Sequence, residues 1–224
     1  MLVRISRRSL FVLIHFINTD PDPAQPLDAA EFERQLRANA HAYHNYHAFN
    51  VLLNSGRASP AQLRGWLANR FYYQIHVPRK EAAVDPWLRL GEAVGLNANE
   101  LWSTEHVLPG VRTAVNAYVD LTHQQPWQEA VCASLTELFT AEIHGVPLAN
   151  WAAFYPWIER SGLDYFRAKM ALTPRDIQDG LRVTLEYFQT RDAQCRALEL
   201  LKLKLDLLWS VLDAIEDGYG PEAG

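Results

Sequence analysis

Apolar residues in this chain recur every third or fourth position, and no stretch alternates apolar with polar for the length of a strand. That period commits the chain to amphipathic helices and excludes a half-buried sheet. Helix starts are punctuated clearly. Asp28 with Glu31 is an N-cap with its capping-box partner, and Phe32, Leu36 and Ala40 follow at helical spacing. Ser59 before Pro60 opens a second helix, with proline at the first helical position. Leu63, Trp66, Leu67, Phe71 and Gln74 continue it until Pro78, which is expected to kink or end it. Asn97 with Glu100 predicts a short helix closing before Pro109-Gly110. Val111, Val115, Tyr118 and Leu121 mark the next helix; Trp127, Val131, Leu135, Leu138 and Ile143 predict a long one. Ser161 with Asp164, Thr173-Pro174 with Asp176, and Thr190 predict three further starts. The last of these helices carries Leu198, Leu201, Leu205, Leu208, Leu212 and Ile215 on one stripe. The expected fold is all-α.

At 224 residues the chain suits one domain, large enough to bury a core without disulfides or structural metal. Cys132 and Cys195 stand alone and form no C-x-x-C motif, as expected of a reducing, cytoplasmic setting. Twenty-six acidic residues against 21 Lys plus Arg give a net charge of −5, which provides no basic field for nucleic acid. Seven Trp, nine Tyr and nine Phe are a large complement of rings for an all-helical chain. Met1–Ser9 is basic and Leu10–Ile17 apolar, the order of an export signal, but the apolar run is too short for a membrane span and no small-x-small cleavage site follows. Residues 1–25 are therefore expected to be a disordered extension or a mis-assigned start, 26–219 the single helical domain, and 220–224 a tail.

Function is sought where polar residues sit in apolar helix faces. Glu137, Ala141 and His144 fall at i, i+4 and i+7, flanked by Leu135, Leu138, Phe139 and Ile143. Arg70, Tyr73, Gln74 and Val77 share a face of the second long helix, with Lys80 and Glu81 a turn further on. Lys204 interrupts Leu203-Lys204-Leu205, where it either snorkels to water or lines a pocket. Buried charge is costly without a partner or a ligand, so the set points to a polar pocket inside a bundle. His41, His44 and His47 recur every third residue and offer a non-haem iron alternative. The Glu-x-x-His pattern of di-iron helices is absent, however, and no metal is expected. There is no G-x-G-x-x-G, P-loop or G-x-S-x-G, so dinucleotide, triphosphate and serine-hydrolase chemistry find no support.

Four stretches carry a resemblance: Leu67-Ala68-Asn69-Arg70-Phe71-Tyr72-Tyr73-Gln74, Val107-Leu108-Pro109-Gly110-Val111-Arg112, Ser134-Leu135-Thr136-Glu137-Leu138-Phe139 and Leu203-Lys204-Leu205-Asp206-Leu207-Leu208-Trp209-Ser210. In this order, between about Leu27 and Tyr219, the chain resembles the pyrroloquinoline-quinone synthase family. These are cofactorless oxidases that close a ring and complete the oxidation in the last step of pyrroloquinoline quinone (PQQ) formation. The resemblance implies a haem-oxygenase-like helical bundle, a homodimer, a small quinone substrate, dioxygen as co-substrate, and no cofactor, nucleic-acid partner or membrane. It assigns Arg70, Lys80 and Lys204 to the substrate's carboxylates. Tyr73, Gln74, Tyr118, Thr136 and Tyr165 would bond its quinone and ring edges, Tyr165 within the catalytic set. His44, Glu137 and His144 would handle protons or charge.

The chain also departs from the family. Pro147 and Lys169 stand where members carry arginine; Lys169 keeps the charge and the substrate-binding assignment without the planar fork, and Pro147 keeps neither. A family segment of roughly thirty residues, about two ordinary helices, is missing between Ala83 and Trp87. It holds a His-Asp-Gly motif whose histidine is a principal catalytic base. His76 is the nearest substitute, but it lies half a turn off the Arg70–Gln74 face. Two readings follow: an active synthase, or a relative that binds PQQ or its precursor without full turnover.

Overall fold

The structure, a computed structural model, describes residues 25–77, 84–139 and 150–220, without the side chains of 168–170, 172 and 173. Among the described residues every regular element is helical. The extension 1–24 and the tail beyond Gly220 lie outside them.

Helix α1 (Ala29–Arg37) starts on Asp28, whose side chain accepts from the Glu31 amide. It ends before Ala40, and the chain tightens into 3-10 turns at Ala38–Ala42 and His44–Tyr46. Helix α2 (Ala48–Asn54) follows. Helix α3 (Pro60–His76) has the full capping box between Ser59 and Gln62 and stops with Val77, just ahead of Pro78. Helix α4 (Val84–Ala93) is followed by α5 (Ala98–Ser103), whose Asn97–Glu100 capping box is complete. Helix α6 (Pro109–Gln124) is the one marked by Val111, Val115 and Tyr118.

Two expectations need correction. The long helix predicted from Trp127 is instead a short α7 (Trp127–Ala133) and a 3-10 turn, Leu135–Phe139. Ser134 explains the break: its hydroxyl donates to the Ala130 carbonyl at 2.9 Å and meets the Tyr118 hydroxyl at 2.9 Å. Such back-bonding competes with the helix ladder. Thr173-Pro174 begins nothing, because α8 (Asp164–Tyr187) runs straight through with Pro174 inside it. A proline there costs a backbone bond. The apolar face on either side, Tyr165 and Phe166 before and Leu181 and Phe188 after, is buried and holds both halves in one rod.

Helix α9 (Arg191–Tyr219) is the spine, capped by Thr190, which accepts from the Ala193 amide. Its stripe of Leu201, Leu205, Leu208, Leu212 and Ile215 is buried, with Leu198 partly so. It packs against α6, α7 and α3, while α4 and α8 close the other side. Two polar clamps fix the rods. Asn69, fully buried on α3, donates to the Gly65 and His106 carbonyls and accepts from the Leu108 amide. His47 accepts from the Phe49 amide at Nδ1, so its Nε2 carries the proton donated to Asp213 on α9 at 3.0 Å.

Candidate functional site

Helices α3, α6, α8 and α9 bring most of the expected polar residues to one place. Lys204 does not snorkel: it is 1% exposed. Its Nζ lies 3.0 Å from the centre of the Tyr118 ring and 4.5 Å from that of Tyr73. The Arg70 guanidinium lies over the same Tyr73 ring at 4.7 Å. Two cations thus gather around one phenol within an apolar core, where cation–π attraction is strongest because water is excluded. Gln74 donates to the Tyr165 hydroxyl at 3.3 Å. Among the described residues, Arg70 Nη1 and Gln74 Oε1 are buried without a hydrogen-bond partner. Such groups cost stability unless a ligand takes them up.

Burial sets the electrostatics. It is the main cause pushing the Tyr73 phenol up to about 12; the Glu137 carboxylate adds to the rise and Arg70 opposes it. Tyr165 and Tyr118 are pushed up further, again chiefly by burial, so all three remain neutral hydrogen-bonding groups at physiological pH. Glu137 acts electrostatically on Tyr73 and Tyr165. It is half-buried and rides on the 3-10 turn; Ala141 and His144, expected on the same helix face, lie outside the described residues.

Beside this cluster lies a cavity of about 50 Å³ between Tyr43, His44, Asn50, Arg70, Trp87 and Tyr165, with Trp66 and Trp151 on its far wall. It holds water-sized occupants and falls well short of the ~300 Å³ of ordinary ligand pockets. His44 packs on Tyr43 at 4.3 Å, and its carbonyl is gripped by the Asn50 side chain at 2.7 Å. A roomier surface cleft, about 220 Å³, includes Tyr118, Trp127 and Ser134 but none of the cations. We place the site at the smaller void, because Arg70 lines it and, through the Tyr73 ring, joins it to Lys204.

Other expected residues fall elsewhere. Thr136 is buried, but its hydroxyl sits 3.5 Å from the Ser134 carbonyl and it does not line the cavity. His76 is exposed and held against Tyr72, its Nδ1 2.9 Å from the Tyr72 carbonyl, so it does not stand in for the missing histidine. The three spaced histidines diverge: His41 is exposed beside Ala38, His44 lines the cavity, and His47 faces Asp213. Among the described residues no three potential metal ligands cluster. Lys80, His144, Pro147 and the Lys169 side chain lie outside the described residues. Residues that sequence reasoning missed include Tyr43, Asn50, Trp66, Trp87, Trp151 and Ser134; the ring-rich composition was the one signal for the aromatic members.

Helical rods packed around a small buried chamber make this an all-α bundle, and its structural neighbours place it in the haem-oxygenase-like class of fold. A TenA homolog from Pseudomonas syringae pv. tomato superposes with a TM-score of 0.66 at 10% identity, covering 86% of this chain and 94% of that one. A domain of unknown function with a heme oxygenase-like fold from Shewanella denitrificans gives 0.67 at 13% identity, covering 88% and 97%. The TENA/THI-4/PQQC family model matches residues 33–85 and 80–214. A pyrroloquinoline-quinone synthase from Pseudomonas aeruginosa (strain LESB58) is 46% identical over 223 residues, 86% of this chain and 89% of the relative. One from Pseudomonas putida (strain W619) is 44% identical over 226 residues, 88% and 90% of the two chains. This chain belongs to the TENA/THI-4/PQQC family. The 223 aligned positions draw on 86% of 224 residues, so about thirty positions of the relative have no counterpart here. The two pieces of the family match overlap at residues 80–85, close to where the sequence leads one to expect a missing segment.

Proposed function

We propose that this chain is a pyrroloquinoline-quinone synthase. It would close a ring in a tricarboxylate quinone precursor and oxidise it to PQQ, with dioxygen as electron acceptor and neither metal nor organic cofactor. The names of the relatives at 43–46% identity support this, and so does the chamber's chemistry. The observation that carries the reading is the convergence of Arg70 and Lys204 on Tyr73. Buried cations are justified where a polyanion replaces their lost hydration, and Arg70 presents an unbonded Nη1 for a carboxylate. Lys80 and Lys169 are proposed to add charge to the same purpose.

Without a redox cofactor, dioxygen must take electrons from a deprotonated substrate. Glu137 and His44, with His144, are the proposed proton acceptors. Neutral Tyr73, Tyr118, Tyr165 and Thr136 are proposed to donate to quinone or reduced-oxygen atoms, and Gln74 to orient Tyr165. The enzyme is proposed to act as a cytoplasmic homodimer. No described helix is long and apolar enough to cross a membrane.

The missing segment and the 50 Å³ void favour a second reading, binding with incomplete turnover, since a tricyclic ligand fits only if the walls separate. Incubating the purified chain with the ring-open precursor under air separates the two. Oxygen uptake with the PQQ spectrum supports the synthase; saturable anaerobic binding without uptake supports the second reading; neither result from a folded sample overturns both.

A further inference from the structure

The aromatic surplus is not used up by the chamber. From Tyr165, on the cavity wall, a file of rings leads outward. Trp87 stands edge-on to Tyr165 with centroids 4.6 Å apart, and Trp66 lies 5.5 Å from Trp87. Trp151 is 5.7 Å from Trp66, Tyr155 is 5.5 Å from Trp151, and Trp157 is 6.4 Å from Tyr155. These spacings put neighbouring rings in contact. Trp66, Trp87 and Trp151 themselves line the cavity. Trp87 and Trp151 are 1% and 2% exposed, whereas Trp157 is 41% exposed.

Core packing asks for bulk, which Leu or Phe supplies as well. It does not ask for an unbroken file of the two ring types that a radical oxidises by one electron. The hydrogen bonds favour holes on the indoles. Trp87 Nε1–H donates to the Leu67 carbonyl at 3.2 Å and Trp151 Nε1–H to Asn54 Oδ1 at 3.3 Å. Both acceptors are neutral and leave the proton on an oxidised indole, so the positive hole stays mobile. The phenols are different, because their oxidation requires loss of the proton. Tyr155 donates its hydroxyl to the Leu53 carbonyl at 2.7 Å, a poor base, and burial suppresses the acidity of Tyr165. The tyrosines therefore bridge, and the tryptophans hold the charge.

We propose that this file is a one-electron relay that carries oxidising equivalents from the chamber to the surface. It is a protective activity that rests on the oxygen-using reading above. When a single electron leaks from a quinol to dioxygen, the superoxide formed takes up a proton from the resulting semiquinone, and this hydroperoxyl radical takes one electron from Trp87 and becomes a hydroperoxide anion. Trp66 refills Trp87, Trp151 refills Trp66, and Trp157 refills Trp151 through the Tyr155 ring. No protein bond forms or breaks. A thiolate in solution returns one electron to Trp157, and two resulting thiyl radicals couple to a disulfide.

Transfer between like indoles runs in both directions, so inward transfer tests the same path. Azide radicals generated by pulse radiolysis oxidise the indoles they can touch on the full chain, and Trp87 is out of their reach. Peptide mass spectrometry is expected to find oxidised Trp87 in the wild type and several-fold less in Trp157→Phe, a surface change compatible with folding. Trp151→Phe is expected to do the same, while exposed Trp102 and Trp127 are oxidised equally in all three. Unoxidised Trp87 in the wild type, or equal oxidation in Trp157→Phe, overturns the relay. During turnover on precursor without thiol, Trp157→Phe is expected to keep the initial rate but inactivate several-fold sooner; equal lifetimes overturn the protective role. A wild type that takes up no oxygen overturns the synthase reading, and the radiolysis result then decides the relay by itself.

Discussion

Tyr73→Phe isolates the cost of burying a phenol between two cations. Phenylalanine keeps the ring that Arg70 and Lys204 face, so the cation–π contacts survive and the ionisable hydroxyl alone is lost. Burial pushes the Tyr73 hydroxyl from 10.0 to about 12. Below pH 10 both folded and unfolded chains keep its proton, and stability is at its full value. Between 10 and 12 the unfolded chain sheds a proton that the folded chain retains, so stability falls as pH rises. A gap of about two units amounts to roughly 3 kcal/mol at completion and about 1 kcal/mol at pH 11. Urea unfolding followed by far-UV circular dichroism at pH 9 and pH 11 reads this directly. The wild type is expected to lose about 1 kcal/mol more than Tyr73→Phe between these conditions. Tyr118 and Tyr165 are shifted the same way, chiefly by burial and in part by Tyr73 itself, so removing its hydroxyl also trims their share and adds to the difference. Identical losses in the two proteins would refute the buried, neutral Tyr73 on which the chamber's electrostatics depend.

Arg70→Ala is expected to weaken anaerobic PQQ binding by about 10- to 100-fold, from a charge-assisted bond of about 1.5–3 kcal/mol, as read by tryptophan fluorescence; unchanged affinity contradicts its role. Leu205→Ala, at a fully buried position of α9, should cost about 2–5 kcal/mol in urea unfolding. Gly65→Ala places a methyl 2.5 Å from the Tyr219 ring, where α3 meets the end of α9. It should lower stability by about 1–3 kcal/mol, and an unshifted Tm would show that this contact is not maintained. Pro174→Ala restores a backbone donor inside α8 and is expected to raise Tm, since proline costs about 3 kcal/mol in a helix interior.

The parts of the fold written in short-range chemistry were legible. Asp28, Ser59, Asn97 and Thr190 each cap the helix that their side chains predict, because a cap needs only an oxygen within reach of an amide a few residues on. The failures came where distant packing overrode a local signal. Thr173-Pro174 has the chemistry of a helix start, yet the buried faces of α8 on both sides keep the rod continuous. Ser134 breaks the predicted long helix by bonding back to the Ala130 carbonyl, and the Tyr118 hydroxyl on another helix, which no window on residues 127–143 contains, meets it there. The same division runs through the site. Arg70, Tyr73 and Gln74 were visible as one face of α3 and Lys204 as a charge within an apolar run, while resemblance supplied Tyr165. Asn50 and the three cavity tryptophans carry no pattern of their own, because distances across the bundle alone bring them to the void.

Lys204 and Asp213, the anchor of His47, ride on one unbroken α9, which makes the length of that rod between them non-negotiable. Deleting one residue there would turn everything beyond it by about 100°. Asp213 would swing away from His47, and the leucine stripe would rotate toward water. Gains and losses of chain are tolerable where rods end. The family match divides between α3 and the first turn of α4, at residues 80–85, the kind of place where such a change is tolerated.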